Sequence, residues 1–265
     1  MVLVLCDAAA SRTQSLTFLV GSLIPVLEAL VVIIVVAEVL MGALLPASDS
    51  IGSVSPASIA VVVTWLAGVA VVNHVRKRPA WKVEAPRAKP GRPHRRAPHP
   101  SAPAKPVGSI RRSIVIFGVA AAVTLFAGVL LEVAGATLAN RAHVNGVIFG
   151  ATVLAFATAL PEISSGIAAV RLGDNQLAVA DIFGGNAFQV CLFLVADLVA
   201  GQPVLPTSGD LNGWLAGLGI VLTVVYAFGV VVRLERCRLR LGADSFVVIA
   251  LFALGMVGLY AIAHP

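Results

Sequence analysis

The sequence is poor in charge, and this scarcity limits what the protein can be. Only 12% of its 265 residues are charged, whereas 58% are hydrophobic and 6% are aromatic. The mean hydropathy is +0.96. A water-soluble domain of this size could not cover its surface with so few polar groups. The composition therefore predicts an all-α polytopic membrane protein that is surrounded by a lipid bilayer.

Cysteine is also scarce, and its positions exclude two kinds of scaffold. Cys6, Cys191 and Cys237 are scattered, and no Cys/His spacing typical of a metal site is present. We therefore expect neither a disulfide framework nor a bound metal cofactor. The N-terminus lacks the basic, apolar and cleavage-site series of a secretory signal, so we expect no removable leader.

Long apolar runs, by contrast, are abundant. Each is long enough to cross a bilayer as a helix, which takes about 20 residues. Seven such candidates lie near residues 16–44, 57–75, 113–134, 146–170, 177–200, 212–232 and 244–263. We expect two helices before and five after a polar interruption in the chain.

The basic residues predict the orientation of these helices. If the N-terminus is cytoplasmic, the inner segments hold every Lys and Arg except Arg141: Arg12, the 76–112 segment, Arg171 and residues 233–240. Cytoplasmic loops carry such an excess of Lys and Arg. We expect an integral protein of the plasma (inner) membrane, with its N-terminus inside and its C-terminus outside. The net charge of +6 then reflects topology, and we expect no binding to nucleic acid.

The polar interruption at residues 76–112 is rich in proline and arginine. Such a composition cannot form a stable helix or bury itself, so we expect a disordered cytoplasmic linker. It divides the chain into residues 1–75, with two transmembrane helices, and residues 113–265, with five. The linker either binds anionic lipid or is a tether that carries the topology signal.

A cluster of oxygen ligands stands out in the run 146–170. Glu162 is a carboxylate at membrane depth, where it is costly unless it faces a partner or a wet cavity. Pro161 has no N–H and leaves the carbonyl of Ala157 without its helical donor. Thr158 lies four residues before Glu162, on the same helix face. This set of hard oxygens suits Na⁺ or Ca²⁺; the alternative is a kinked helix with Glu162 protonated or packed against a hydroxyl.

The next run, 177–200, carries polar groups into an apolar helix: Asp181, Asn186 and Gln189. Gly184 and Gly185 permit local unwinding or the close approach of another helix. Asp181 lies near the predicted cytoplasmic end, where hydration is the alternative to an ion-binding role. A short hairpin between the two runs should hold them adjacent and antiparallel.

Residues 150–189 resemble one α-repeat of the sodium/calcium exchanger family, within the cation/Ca²⁺ exchanger superfamily. The family pattern is G-T-S-x-P-E on one helix and G-N-x-x-G-S-N-x-x-N or -D on the next. Residues 157–162 read A-T-A-L-P-E and residues 180–189 read A-D-I-F-G-G-N-A-F-Q. Order, spacing and the P-E pair agree over about forty residues.

The resemblance implies a partial exchanger fold. Family members place five helices on each side of a cytoplasmic loop, with one inverted α-repeat in each half. Residues 113–265 are similar to the second half, and the two helices before the linker are similar to the last two of the first half. The first α-repeat is absent from this sequence.

The resemblance also implies a set of cation ligands. Thr158 and Glu162 keep the family's ligand chemistry, whereas Ala159 and Gly185 replace serines. Gln189 replaces an asparagine or aspartate and retains a carbonyl oxygen without charge. Gly185, like Ala157, could contribute a backbone carbonyl alone. Glu28, Glu38, Glu132 and Asp197 are further acids in apolar runs, and the sequence places none of them beside this set.

The resemblance implies a transporter, with no enzymatic activity and no cofactor besides the transported Ca²⁺, Na⁺ or H⁺. The expected function is cation antiport by alternating access around Glu162. A second chain could supply the missing repeat, although two copies inserted in one orientation cannot form an inverted pair. One alternative is a membrane scaffold or regulator that keeps the fold without transport. Another is an exchanger truncated at its N-terminus, whose start lies upstream of Met1.

Overall fold

The computed structural model describes residues 1–10, 14–46, 48–77, 110–233, 237–238 and 241–263. These residues are almost entirely helical. The α-helices are α1 (Val2–Ala10), α2 (Leu16–Leu19), α3 (Ile24–Ala43), α4 (Pro56–Lys77), α5 (Ile110–Arg141), α6 (Gly146–Phe149), α7 (Ala155–Thr158), α8 (Leu160–Arg171), α9 (Asn175–Ala200), α10 (Asp210–Val232) and α11 (Ala243–Ala263). A π-helical segment (Gly150–Leu154) joins α6 to α7, and a 3₁₀ turn (Leu205–Thr207) precedes α10. Two short antiparallel strands, β1 (Cys237–Arg238) and β2 (Leu241–Gly242), precede α11.

Six helices within the described ranges are long and apolar enough to cross a membrane: α3, α4, α5, α9, α10 and α11. The pair formed by residues Gly146–Thr158 and Leu160–Arg171 adds a seventh if it is one broken span. Two of these candidates precede the linker and five follow it. The prediction of an all-α polytopic membrane protein with about seven spans is confirmed.

Some helix boundaries differ from the prediction. The run expected as one helix over 16–44 is divided, because α2 ends at Leu19 and α3 begins at Ile24. Pro25 lies in the first turn of α3, where its missing N–H costs nothing but where a preceding helix cannot continue. The expected linker 76–112 is shorter, since α4 continues to Lys77 and α5 begins at Ile110. Its remainder and its expected disorder lie outside the described residues.

Helix α1 was not predicted, because nine residues are too few to span a bilayer. It nevertheless packs against α8, with Leu3, Val4 and Cys6 buried. A side-chain carbon placed at Gly166 of α8 would lie 2.6 Å from the Sγ of Cys6. The missing side chain at Gly166 therefore lets α1 lie directly on α8.

The described residues belong to two units. The main unit comprises residues 1–85 and 159–265, and the second unit comprises residues 86–158. In the main unit α3 is central, since it packs on α4, α9 and α10, and α10 packs in turn on α11. Its core is aliphatic, with Ala29, Val32, Val35, Val61 and Val248 almost fully buried.

The second unit pairs α5 with the segment from α6 through the π-helical turn. A side-chain carbon at Gly135 would lie 3.4 Å from the Cε1 of Phe149 and 3.7 Å from the Cδ1 of Leu154. The apolar side chains along most of α5 are exposed. This is the surface expected of a helix that faces lipid, where outward apolar residues carry no penalty.

Asp7 joins distant parts of the main unit. Its Oδ1 accepts a hydrogen bond from the N–H of Leu16 at 2.6 Å. Its Oδ2 accepts from the N–H of Gly242 at 2.7 Å and from the hydroxyl of Ser245 at 2.6 Å. Asp7 is 1% exposed, and three donors satisfy its charge at that depth. It thereby ties α1 to α2 and to the start of α11.

Asp197, near the C-terminal end of α9, also joins distant segments through hydrogen bonds. Its Oδ2 accepts from the N–H of Ser55 at 2.9 Å, just before α4, and its Oδ1 accepts from the N–H of Val204 at 2.8 Å. Asp197 is fully buried. The side chain fixes two loops to one helix end, so its partners explain its presence in an apolar run.

Candidate functional site

The α-repeat begins on a broken helix. Helix α7 ends at Thr158 and α8 begins at Leu160, with Ala159 between them. The N–H of Ile163 donates to the carbonyl of Ala159 at 2.9 Å, so the hydrogen-bond ladder of α8 starts there. Pro161 lies in its first turn, the position that tolerates proline best. The predicted break at this proline is confirmed.

The two predicted ligands before the break belong to the second unit. The Oγ1 of Thr158 donates to the carbonyls of Leu154 and Ala155, at 3.0 and 3.2 Å. A hydroxyl that donates its proton to the backbone keeps its lone pairs for a cation. The carbonyl of Ala157 would receive its helical hydrogen bond from residue 161, which is a proline. Both groups therefore retain acceptor capacity.

Glu162 lies in the first turn of α8, in the main unit, and is half-buried. Its Oε2 is buried and has no hydrogen-bond partner within the described part of the chain. Few other buried side-chain oxygens lack a hydrogen-bond partner in the described ranges. Each such oxygen lowers the stability of the fold unless water or an ion pairs with it. In the described ranges they are the Oε2 atoms of Glu28, Glu38 and Glu162, the Oγ of Ser58, the hydroxyl of Tyr226 and the Oδ2 of Asp244.

Helix α9 carries the second half of the repeat and runs without interruption through Gly184 and Gly185. Neither of the two roles suggested for these glycines is present. The helix does not unwind, and a side-chain carbon at either glycine would have no described atom within 4 Å. Because α9 is regular, the carbonyl of Gly185 is already an acceptor in the helix ladder. Asn186 and Gln189 are exposed on the same helix.

The two repeat helices of the main unit, α8 and α9, are adjacent and antiparallel, as predicted. The hydroxyl of Ser165 lies 2.9 Å from the Oδ2 of Asp181 and donates to it. Gly173 turns the hairpin with a φ of +84°, a conformation that glycine adopts without strain. Extending this antiparallel register by one turn of α8 places Glu162 level with residues 184–185.

This register separates the predicted ligands. Gln189 lies on α9 about one turn after residues 184–185, which are level with Glu162. It therefore lies past Leu160, the first residue of α8. Asp181 accepts the hydroxyl of Ser165, which gives its carboxylate a structural partner. Ser165 was not singled out from the sequence, although its spacing of three from Glu162 places both near one helix face.

Glu28 and Glu38, two other acids of the apolar runs, each have a partner for one carboxylate oxygen. The Oε1 of Glu38 accepts the hydroxyl of Thr64 at 2.6 Å. The Oε1 of Glu28 lies 3.4 Å from the Nη2 of Arg76. Glu132 is exposed on α5 of the second unit.

A cation at Glu162 would draw its remaining ligands from neutral oxygens. Across the described residues, no three His, Cys, Asp or Glu side chains are grouped closely enough to hold a metal ion. Hydroxyl, amide and backbone carbonyl oxygens are the hard ligands that Na⁺ and Ca²⁺ accept. Gln189 carries such an oxygen in the main unit, and Thr158 and Ala157 carry theirs in the second unit.

Comparisons with known proteins agree with the motif. The family described as "Sodium/calcium exchanger protein" matches residues 112–264, more than half of the chain. The chain is 37% identical over 75 residues to "Inner membrane protein YrbG" of Escherichia coli (strain K12), which covers 28% of this chain and 21% of that protein. It is 25% identical over 87 residues to "Putative antiporter CaxA" of Alkalimonas amylolytica, covering 33% and 27%. The matched segments thus span about a quarter of these relatives or less, and no solved structure matches the chain.

Proposed function

The chain belongs to the sodium/calcium exchanger protein family, and from that premise we propose that it takes part in cation antiport across the membrane. The observation that carries the proposal is the carboxylate of Glu162. One of its oxygens is buried without a hydrogen-bond partner in the described residues, and it stands one turn after a helix break. A carboxylate in such a position has a vacant capacity for positive charge.

The proposed mechanism is alternating access around Glu162. Broken helices supply backbone oxygens at membrane depth, which is how secondary transporters hold ions. The break after Thr158 leaves the carbonyl of Ala157 as one such oxygen, and the hydroxyl of Thr158 is a second. Gln189 would join from α9 when α8 and α9 shift relative to each other. Ca²⁺ is the proposed cargo, exchanged for Na⁺ or H⁺.

The proposal includes an assembly. This sequence carries one α-repeat, and we propose that a second, inverted repeat, on a partner chain or elsewhere in the same protein, completes the cation site. In the proposed orientation the protein lies in the inner membrane with its N-terminus in the cytoplasm and its C-terminus outside. The basic 76–112 segment would then meet the anionic lipid of the cytoplasmic leaflet.

A second candidate function is a membrane scaffold that binds a transporter without transporting. Two positions of the repeat favour it, since Ala159 and Gly185 lack the hydroxyls of the family pattern. With fewer oxygens, the site would bind a cation more weakly. The scaffold and the antiporter therefore differ in one measurable property, which is cation flux.

The test is Ca²⁺ uptake into proteoliposomes that contain the full chain, driven by an outward Na⁺ or H⁺ gradient. We expect uptake by the unmodified protein and a fall of about tenfold or more in Glu162→Gln, because losing one charged contact costs on the order of 1.5–3 kcal/mol. Glu132→Gln is the matched control, since Glu132 is an exposed acid on α5.

Two outcomes would contradict the proposal. Equal uptake in Glu162→Gln and the unmodified protein would remove Glu162 from the mechanism. Absence of uptake in every sample, with the protein folded by size-exclusion chromatography, would favour the scaffold. If a partner chain co-purifies with the protein, the same uptake measurement is repeated with proteoliposomes that contain both chains.

A further inference from the structure

A cavity of about 300 Å³ lies within the main unit, between α3, α4 and α9. Most of its lining is apolar and includes the aromatic side chains of Trp65 and Phe183. Among the residues described, its polar lining consists of Glu28, Asn73 and Arg76. One carboxylate and one amide supply too few oxygens for a metal ion. The apolar wall and a volume at the lower end of the range for ligand sites suit a single hydrocarbon chain.

The polar groups lie at one end of the cavity. Arg76 is in the last turn of α4, Asn73 is one turn before it, and Glu28 contacts it. Trp65 lies eleven residues before Arg76 on the same helix, which is roughly 16 Å along the axis. Half of the hydrocarbon core of a bilayer is about 15 Å thick. Because α4 is a candidate membrane span, the cavity follows it over about one leaflet, from the headgroup level towards the bilayer centre.

The cavity opens on the side of α4 and α9. Val69 of α4 lines it and is 47% exposed, and Gly184 of α9 lines it and is also exposed. A side-chain carbon at Gly184 would have no described atom within 4 Å. By contrast, a side-chain carbon at Gly68 would lie 2.6 Å from the Cγ2 of Val31, so α3 and α4 are in direct contact there. The opening between α4 and α9 is therefore the side on which membrane lipid would reach the cavity.

The polar end carries a net positive charge. The last turn of α4 contains His74, Arg76 and Lys77, and all three are exposed. The Oε1 of Glu28 lies 3.4 Å from the Nη2 of Arg76. That contact uses one of the five N–H donors of the guanidinium, so the others can donate to a phosphate. The Oε2 of Glu28 has no hydrogen-bond partner in the described residues, and rotation of the carboxylate would let it accept a hydroxyl from the cavity.

We propose that this cavity binds one acyl chain of a phosphatidylglycerol molecule, with the lipid phosphate at Arg76. A hydroxyl of the glycerol headgroup donates to Glu28, whose contact with Arg76 is kept. The negative charge of this lipid matches the basic last turn of α4, and its chain fills the apolar part of the cavity as far as Trp65. The site is formed by the folded helices α3, α4 and α9, and it does not depend on the antiport function.

The test uses lipids with bromine on their acyl chains, because bromine quenches the fluorescence of a tryptophan that it contacts. The full chain is reconstituted in phosphatidylcholine vesicles with increasing fractions of brominated phosphatidylglycerol or brominated phosphatidylcholine. The Trp65 signal is the difference between the unmodified protein and Trp65→Phe. We expect phosphatidylglycerol to quench it half-maximally at a mole fraction about fivefold lower than phosphatidylcholine does, the gain that one basic residue gives for anionic lipid.

Arg76→Gln tests the headgroup contact. This variant should lose the preference for phosphatidylglycerol, because the guanidinium that binds the phosphate is gone. Arg171→Gln is the matched control, since Arg171 is an exposed basic residue in the last turn of another helix, α8; its preference should not change. An unchanged preference in folded Arg76→Gln overturns the proposal. Equal quenching of the unmodified protein by the two lipids also overturns it, because Trp65 would then meet bulk lipid alone.

Two neighbouring glycines test the place of the acyl chain. Gly184→Leu puts a large side chain into the cavity and should lower the quenching of Trp65 by brominated phosphatidylglycerol. Gly185→Leu is the matched control: a side-chain carbon at Gly185 also meets no described atom within 4 Å, but Gly185 is not part of the cavity lining. Its quenching should equal that of the unmodified protein. Full quenching in Gly184→Leu would contradict an acyl chain in this cavity.

Native mass spectrometry identifies the occupant directly. The full chain, extracted from membranes in a mild detergent, should retain one phosphatidylglycerol molecule, and Arg76→Gln should release it while Arg171→Gln keeps it. Retention of a zwitterionic phospholipid instead would contradict the role of the negative headgroup. If no lipid is retained and neither brominated lipid quenches Trp65, a protein segment covers the cavity and the proposal is wrong.

Discussion

Two enclosed carboxylates of the main unit differ in how their oxygens are used. Asp7 is 1% exposed, and its oxygens accept hydrogen bonds from two backbone N–H groups and a serine hydroxyl. The side chain of Glu28 is 10% exposed, but its Oε2 has no hydrogen-bond partner in the described residues. Burial removes water from both acids, but each oxygen of Asp7 has a donor, whereas Glu28 has only the 3.4 Å contact of its Oε1 with Arg76.

The glycines near these two acids, Gly242 and Gly184, differ in the space that each has for a side chain. A side-chain carbon at Gly242 would overlap the Oδ1 of Asp244 and lie 2.6 Å from the Cβ of Ser15. A side-chain carbon at Gly184 would meet no described atom within 4 Å. The backbone around Asp7 is therefore closely packed, whereas the space beside Gly184 is open. The comparison separates a carboxylate whose two oxygens both have donors from one that keeps an oxygen without a partner in the described residues.

The largest expected effect is the loss of the acceptor at Asp7. Asp7→Ala should lower the free energy of unfolding by at least about 3 kcal/mol, because each buried donor without an acceptor costs roughly 1–3 kcal/mol. The measurement is the midpoint of thermal unfolding in detergent. Asp210→Ala, at an exposed position, is the control and should leave the midpoint nearly unchanged. Equal midpoints for the two variants would refute the structural role of Asp7.

The second prediction concerns the packed glycine. Gly242→Ala should destabilise the protein by about 1–3 kcal/mol, because the added methyl group has no room between Ser15 and Asp244. The same thermal midpoint measures it. A midpoint equal to that of the unmodified protein would mean that the strand β2 can move aside without cost.

A substitution at Gly184 should change the free energy of unfolding in the opposite direction. Gly184→Ala should stabilise the protein by about 0.5–1 kcal/mol, since alanine is the better residue inside a helix and the site has space for its methyl group. Destabilisation in this variant would show that the space beside Gly184 is filled.

The smallest effect is expected at Cys6, the neighbour of Asp7 on α1. Burial raises the pKa of the Cys6 thiol to about 11, above its ordinary value of 9.0. A pKa raised by folding means that stability is intact below pH 9 and falls as the pH rises through about 11. The Cys6 contribution to stability should thus be constant from pH 6 to 9. Cys6→Ala should lose less stability above pH 9 than the unmodified protein does; identical alkaline curves would contradict the assignment.

The spanning helices could be predicted because apolar length is a property of consecutive residues. The helix break near Glu162 could also be predicted, since Pro161 lacks the donor that a continuous helix requires. Helix α1 could not, because a nine-residue segment gives no spanning signal and its burial depends on Gly166. Arg76 was predicted to lie in the linker because of the composition of that segment, although it lies in the last turn of α4 and contacts Glu28.

The candidate site was less predictable than the fold. Glu162 stood out as an acid in an apolar run, but Asp197 did so equally, and its partners are loop N–H groups. Charge in an apolar segment thus marks structural and ligand-binding acids alike. The two are distinguished by donors from distant parts of the chain, which no local pattern contains.

The hydrogen bonds of Asp7 also bear on the order of biosynthesis. Asp7 is made well before two of its donors, Gly242 and Ser245, which lie 235 and 238 residues later in the chain. During translation into the membrane, the Oδ2 of Asp7 therefore has neither of these donors until β2 and the start of α11 have been made.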